Sequence, residues 1–433
     1  YEPAIIQIDH NCTTNGGTGM SYVVRLADGS FIVVDGGMTA SFENTDKIYN
    51  ALKTYSSEKP VIAAWLVTHG HMDHISAITS FVEKYYEEVV IEQMIFNFPT
   101  LEQCASSKSP IDHKMVSDGI APMLLSIQAL MPDTKVSTCH TGYKYNIRNA
   151  VVDVMFTLDD LFPTVFGASY NDHNGVCSVF KIAFTNETID QSLLITGDAN
   201  GSEVKKMLEK YPDDELKATF VQANHHSMNA GTGSTETYDF YAKVQPEVVL
   251  IPTADSILTD YLYQPQNQYF VDVDSVKEVI VSDYGTRALV LPYTAPEGLT
   301  GLDKFTIPAD LSSVSALNSY KGVSIRQAGE NAEAKQALRF KFQIPEHIIL
   351  ASTEDGYTVA EYGMMVSESN ANLNYFDGNK SFVTDENGVK TFKGVAYNKA
   401  DDKDVVFGYQ NFASATGDQL RSRQYTCALY NIG

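Results

Sequence analysis

The segment Thr68-His69-Gly70-His71-Met72-Asp73-His74 holds three of the chain's ten histidines. Neutral imidazoles beside a carboxylate are the donor set that suits zinc and similar divalent ions. Side chains two apart in an extended segment share a face, so His69 and His71 can bind one metal. Asp73 and His74 fall where the chain turns into a helix, and they can bind a second metal close by. A polar loop that happens to be rich in histidine is the bland alternative. The clustering directly behind the apolar run Ile62–Val67 argues against it.

Further donors lie downstream. Leu193-Leu194-Ile195-Thr196-Gly197-Asp198 has the pattern of a buried strand ending in Gly-Asp. A carboxylate there, beside a glycine that permits close approach, can bridge two cations. Alternatively, Asp198 caps the helix expected from Glu203. Asn224-His225-His226-Ser227 follows the strand expected over Ala218–Gln222. Adjacent side chains diverge, so one of this pair binds metal, His226 by preference. His225 then faces a substrate phosphate or carbonyl, or supports the ligands from behind. His173 precedes another strand and can complete the first metal's set. His140 competes with it, although Cys139-His140-Thr141-Gly142 reads as a surface turn. His10, His113 and His347 have no companion donor and read as structural.

These donors need a frame. Ile5–Asp9, Ser21–Leu26 and Phe31–Val34 read as strands, with a hairpin turn at Asp28-Gly29 and an abrupt end in Asp35-Gly36-Gly37. Ile62–Val67 is apolar throughout, as in a strand buried on both faces, and Val89–Phe98 reads the same way. Helices are predicted over Thr45–Leu52, Ile75–Tyr86, Ile120–Met131 and Glu203–Tyr211, while residues 99–116 read as polar and irregular. Strands recur at Val151–Phe156, Val179–Phe184, Ser192–Thr196, Val248–Pro252 and Ala288–Pro292. Such an order predicts an α+β fold with helices covering sheets. Residues 1–295 then form a domain that carries all the chemistry, and 296–318 form a linker. Residues 319–433, with short alternating strands, form an all-β, sandwich-like accessory domain.

The chain has 433 residues and a formal charge of −23, from 54 Asp+Glu against 31 Lys+Arg. That field disfavours nucleic acid and anionic membrane surfaces as partners. Two divalent ions would reverse the sign locally, where an anionic substrate must arrive. No run approaches the length of a membrane-spanning helix. Five cysteines without CxxC spacing make no disulfide framework. A processed or trimmed N-terminus would explain Tyr1 in place of Met, and a cloning choice would explain it equally well. Nothing in the sequence sets the oligomeric state.

Asp35-Gly36-Gly37, the His-x-His-x-Asp-His run at 69–74, His173, Gly197-Asp198 and His225-His226 together resemble the metallo-β-lactamase superfamily over about residues 1–295. The resemblance implies an αββα sandwich and a hydrolase using two divalent metal ions, zinc by donor type. It also implies His69, His71 and His173 as first-metal ligands, and Asp73, His74 and His226 as second-metal ligands, with Asp198 bridging. Asp73 and His225 become the catalytic pair, and Asp35 a structural aspartate behind the site. Phe156–Pro163 and the paired histidines further resemble the branch of competence-type nucleases and choline-phosphate esterases of Gram-positive surfaces. His225-His226-Ser227-Met228 stands where that branch has His-His-Gly-Ser. The branch implies a phosphoester or phosphodiester substrate, either a small or choline-bearing molecule or a surface glycan of teichoic type. Lactone or amide hydrolysis is one rival expectation; a surface-binding protein with a vestigial metal site is the other. Gly322–Arg326, Leu338-Arg339-Phe340 and Glu361-Tyr362-Gly363 resemble accessory β-sandwich modules of secreted Firmicutes proteins, which implies an extracellular or cell-surface location.

Overall fold

The structure is a computed structural model, and the chain divides into two units, Tyr1–Phe305 and Thr306–Gly433. In the first unit it describes residues 1–9, 19–38, 42–107, 109–161, 176–185, 188–211, 213–227, 235–253, 273–282, 285–300 and 304. In the second it describes the strands given below. His10, His173 and His347 lie outside the described residues.

The first unit contains two sheets. One is built from β1 (Ala4–Gln7), β2 (Tyr22–Arg25), β3 (Phe31–Val34), β4 (Val61–Leu66), β5 (Val90–Ile91), β6 (Gln93–Phe96), β7 (Lys135–Thr138) and a late strand, Arg287–Val290. Its order is late strand, β1, β2, β3, β4, β6, β7, with β5 also paired to β4. From β3 to β7 the pairing is parallel. The second sheet begins with β8 (Lys144–Ile147), β9 (Ala150–Phe156), β10 (Val179–Phe184) and β11 (Ser192–Ile195). It continues with β12 (Phe220–Gln222), β13 (Val248–Ile251) and β14 (Glu278–Val281), and the late strand of the first sheet is β15. The pairings from β11 to β14 are parallel.

Strand alternation explains the layers. In β2, Tyr22 and Val24 join the core between the sheets, while Val23 faces the helices. In β3, Ile32 and Val34 point inward and Phe31 and Val33 outward. Both faces are dry, which is why these strands read as continuous apolar runs. Helices α1 (Phe42–Thr54) and α2 (Met72–Tyr85) cover the first sheet with Ile48, Leu52, Ile75, Ile78 and Phe81. Trp65 of β4 is fully buried against the edge of Phe81, and its indole N–H donates to the Asp35 carbonyl at 3.0 Å.

Residues 99–116 are where the structure departs from the expected irregular stretch. Helices α3 (Leu101–Ser106) and α4 (Pro110–Lys114) run into a π-helical segment, Met115–Ile120, and then α5 (Ala121–Leu130). A capping box starts α3: the Thr100 side chain accepts the Gln103 N–H, and the Gln103 side chain accepts the Thr100 N–H. The local signals are caps and Pro110 rather than apolar periodicity, and a reading by periodicity passes over them. The expected single strand Val89–Phe98 is likewise two short strands, β5 and β6, on either side of Glu92.

On the second sheet's side, α6 (Gly201–Lys210) is followed by α7 (Asp213–Leu216) and α8 (Thr235–Val244), with α6 and α8 packed together. Val204, Met207, Phe240 and Val244 are buried there. The layers are thus helix, sheet, sheet, helix. This is the α+β sandwich that the sequence order predicts.

The second unit, taken by itself, contains two antiparallel sheets. One pairs β16 (Ser319–Arg326), β17 (Ala337–Gln343) and β21 (Val405–Asn411). The other runs β19 (Val383–Thr384), β20 (Lys390–Lys393), β18 (Glu361–Ser367), β22 (Thr426–Ile432).

Candidate metal centre

The candidate donors sit just beyond the C-terminal ends of parallel strands. Asp35 follows β3, the 68–74 run follows β4, Asp198 follows β11, and His225-His226 follow β12. The C-terminal edge of parallel strands is where open α/β sheets commonly place ligands. Two close approaches tighten the arrangement. Gly197 has a left-handed φ of 56°, and a Cβ there would lie 2.9 Å from Thr68 Cβ, so a side chain would push the two donor loops apart. The Gln222 amide bridges the next pair of loops. Its Oε1 accepts the Thr196 N–H at 2.9 Å, and its Nε2 donates to the Gly197 carbonyl at 2.9 Å.

Hydrogen bonds then place the imidazole protons. The Thr68 N–H and O–H both donate to Asp35, each at 2.7 Å. With its proton so used, Thr68 Oγ1 accepts from His69 Nδ1 at 3.1 Å. His74 Nδ1 donates to Asp35 Oδ2 at 2.7 Å, and His226 Nδ1 donates to the Pro252 carbonyl at 2.6 Å. All three rings therefore present an Nε2 lone pair. Acceptors behind the ring that set the tautomer are characteristic of metal-ligating histidine.

Those lone pairs converge on Asp198, which is 1% exposed. His74 Nε2 and His226 Nε2 lie 3.1 and 3.3 Å from its Oδ1. His69 Nε2 and His225 Nε2 each lie 3.7 Å from its Oδ2. His226 Nε2 is also 3.4 Å from Asp73 Oδ2 and 3.2 Å from His74 Nε2. The ligand atoms of Asp73, His74, Asp198 and His226 all lie within 4.8 Å of one another.

The donor set fits a divalent cation. His69 Nε2 is buried with no hydrogen-bond partner among the described residues, and two imidazole lone pairs face each other at 3.2 Å. An orphan nitrogen and a lone-pair contact are both costly in a dry site unless a cation is shared. The electrostatics agree. Burial lowers the His226 pKa, yet Asp198 and Asp73 lift it to about 10. Burial raises Asp198, but His226, His74 and His225 hold it well below the usual carboxylate range. His69 is pushed well below its ordinary value by burial and by its neighbour His74. Such perturbed groups in one cluster mark functional sites.

His225 and His226 do not diverge as adjacent strand residues would. His225 has φ 47°, ψ 52° and His226 has φ 53°, ψ 25°, and Ser227 is left-handed as well. Both rings reach the same carboxylate because the chain has already left β12 in a left-handed turn. The alternative role of Asp198 as a helix cap is taken instead by Asn200, whose side chain accepts the Ser202 N–H at 3.0 Å.

His71 behaves differently from the other rings. Its Nε2 is the protonated nitrogen, 2.9 Å from Asp112 Oδ1 on α4. His140 pairs with Asp159 at 2.6 Å on an exposed turn, and His113 Nε2 donates to the Ser107 carbonyl at 2.6 Å. Asp159 and Asp160 of the stretch from Phe156 serve structure too: Asp159 accepts from His140 and Asn97, and Asp160 from Lys210. Asp112 and Gln222 carry no motif of their own. Their partners at the site, His71 for Asp112 and Thr196 and Gly197 for Gln222, lie 41, 26 and 25 positions away along the chain, so no spacing rule finds them.

The sequence model of the metallo-beta-lactamase superfamily matches residues 14–227. Several solved structures are similar at low identity. YhfI, a metallo-beta-lactamase fold protein from Bacillus subtilis, is 12% identical, covering 65% of this chain and 96% of its own, with a TM-score of 0.38. Tm1679, a metal-dependent hydrolase of the beta-lactamase superfamily, is 10% identical over 68% of this chain and 100% of its own, with a TM-score of 0.39. CmlA, a diiron beta-hydroxylase from Streptomyces venezuelae, is 13% identical over 64% of this chain and 48% of its own, with a TM-score of 0.31. No curated protein matches the chain. The first unit has the metallo-β-lactamase fold, the fold of a metal-dependent hydrolase superfamily.

Proposed function

We propose that the protein is a binuclear, zinc-dependent hydrolase of a small phosphoester or phosphodiester, with a choline-bearing substrate favoured. One observation carries the binuclear part of this reading. The two oxygens of Asp198 face two different imidazole sets: His74 and His226 on Oδ1, His69 and His225 on Oδ2. A carboxylate used from both sides is what a bridge between two cations requires. Asp73, His74 and His226 would then hold one ion, and His69 would hold the other together with His71 and His173, the last of these lying outside the described residues.

Bound there, the ions supply Lewis-acid charge and a water of lowered pKa. The residues do the positioning. Asp73, with 19% of its side chain exposed against 2% for Asp198, is the carboxylate that reaches the entering water and orients it by accepting its proton in a hydrogen bond. Asp35 keeps the His74 proton on Nδ1, and the Pro252 carbonyl does the same for His226. His225 is 8% exposed beside Asp198 and supplies a donor to a phosphoryl oxygen. The −23 charge disfavours polymeric DNA and favours a substrate that carries a cationic group. The resemblance of residues 319–433 to accessory modules supports action at or beyond the cell surface.

A panel of bis-p-nitrophenyl phosphate, p-nitrophenyl phosphorylcholine, a lactone and nitrocefin, run beside metal analysis, tests this. Turnover of the phosphoesters with two zinc ions per chain is expected. Cleavage of the lactone or nitrocefin alone would replace the phosphoester reading with the lactone or amide one. Two bound ions and no turnover of any compound would favour a binding protein. His225→Ala is expected to slow phosphoester turnover by about 10²-fold while metal content holds.

A further inference from the structure

We infer that Asp112 is a positioning residue for the metal centre: it holds the His71 ring with its proton on Nε2, which leaves Nδ1 as the nitrogen that meets the ion. The inference rests on the reading of His71 as a ligand. Asp112 is fully buried, and its Oδ1 lies 2.9 Å from His71 Nε2. An ionised carboxylate can only accept, so Nε2 carries the proton. His69, His74 and His226 have the opposite tautomer, with Nδ1 bound to an acceptor and Nε2 presented. His71 therefore needs a different support from the others, and it lacks a local one. It stands at the N-cap position of α2 with extended backbone and makes no side-chain capping bond.

The support is itself held. Ser107, also buried, donates its hydroxyl to Asp112 Oδ2. The Ser109 N–H donates to Ser107 Oγ at 3.1 Å, and His113 Nε2 donates to the Ser107 carbonyl at 2.6 Å. The π-helical segment 115–120 seats the whole element against the donor loop. A Cβ on Gly70 would lie 2.7 Å from the Met115 side chain and 2.9 Å from that of Ile120, so only glycine lets the two segments meet. The helices over 101–120 thus deliver one carboxylate to the far side of one ligand. A carboxylate behind a metal-bound histidine orients the ring and strengthens it as a donor, and losing it costs about 10- to 100-fold in metal affinity.

The test is zinc affinity of the full chain by competition with a chromophoric chelator, for Asp112→Ala, Asp112→Asn and His71→Ala. Asp112→Ala should weaken the affected zinc about 10- to 100-fold, read beside the fall in metal-free melting temperature expected from stranding the buried Ser107 hydroxyl. Asp112→Asn keeps an acceptor at Oδ1 and should fall between the two. Long-range ¹⁵N correlation spectra should show His71 protonated on Nε2 in wild type and mixed tautomers in the alanine variant. Zinc affinity within twofold of wild type for Asp112→Asn and Asp112→Ala, while His71→Ala binds weakly, overturns the role of Asp112 and leaves His71 a ligand. If Asp112→Ala fails to fold, Asp112→Asn decides by the same criterion. Unchanged binding by His71→Ala overturns the ligand reading on which the inference stands.

Discussion

At 3.2 Å, His74 Nε2 and His226 Nε2 face each other with their other nitrogens already bound to Asp35 and Pro252. Such a contact needs a shared cation, and in the metal-free protein a proton is the one available. That gives a pH dependence with a definite sign. The His226 pKa rises from 6.5 to about 10 on folding, against burial and under the pull of Asp198 and Asp73. A raised imidazole pKa contributes stability that is complete below the unfolded value and is lost as pH climbs through the folded one. The melting temperature of the metal-free protein should therefore fall as pH rises from about 6.5 to about 10. Zinc takes the proton's place, so the loaded protein should show no such fall over that range. Scanning calorimetry of both forms measures this, and a flat profile for the metal-free protein would contradict it.

At the scale of elements, the turn after β12 is strained. His225, His226 and Ser227 are consecutive left-handed residues without a glycine among them, each costing on the order of 1 kcal/mol or more. The bonds that hold the turn are found around it. Asn224 exchanges hydrogen bonds with the Tyr241 hydroxyl at 3.0 and 3.2 Å, and the His225 N–H donates to the Gly197 carbonyl at 3.1 Å. Gln222 ties that same carbonyl to the Thr196 N–H. Gln222→Leu would strand these buried groups, so a loss of about 1–3 kcal/mol in urea unfolding is expected, together with weaker zinc binding. The helices over 101–114 teach a related lesson about local signals. Caps and Pro110 build them, and periodicity alone misses them.

For the whole molecule, every described candidate ligand lies within Tyr1–Phe305. Residues 1–305 expressed alone should therefore keep their zinc and turn over a small substrate within about threefold of the full chain. Complete loss of turnover, with the fragment folded by circular dichroism, would place a required group in the second unit. The −23 charge leads to a separate expectation: no shift of a DNA fragment in a gel at low salt, where phosphate contacts are strongest.

By itself, the sequence determined the donor types and most of their frame. The run at 69–74 and Gly197-Asp198 are legible because local spacing, a preceding apolar strand and a rare residue type coincide within a few positions. The layered α+β fold is legible for a similar reason, since strand and helix periods are written in neighbouring residues. Tertiary structure alone decided how the donors meet. Asp112 reaches His71 across 41 positions, and His74 meets His226 across 152. Left-handed backbone turns both His225 and His226 onto one carboxylate. Contacts at such separations follow from how sheets and helices pack, and pairing between distant side chains leaves no periodic trace in a single chain.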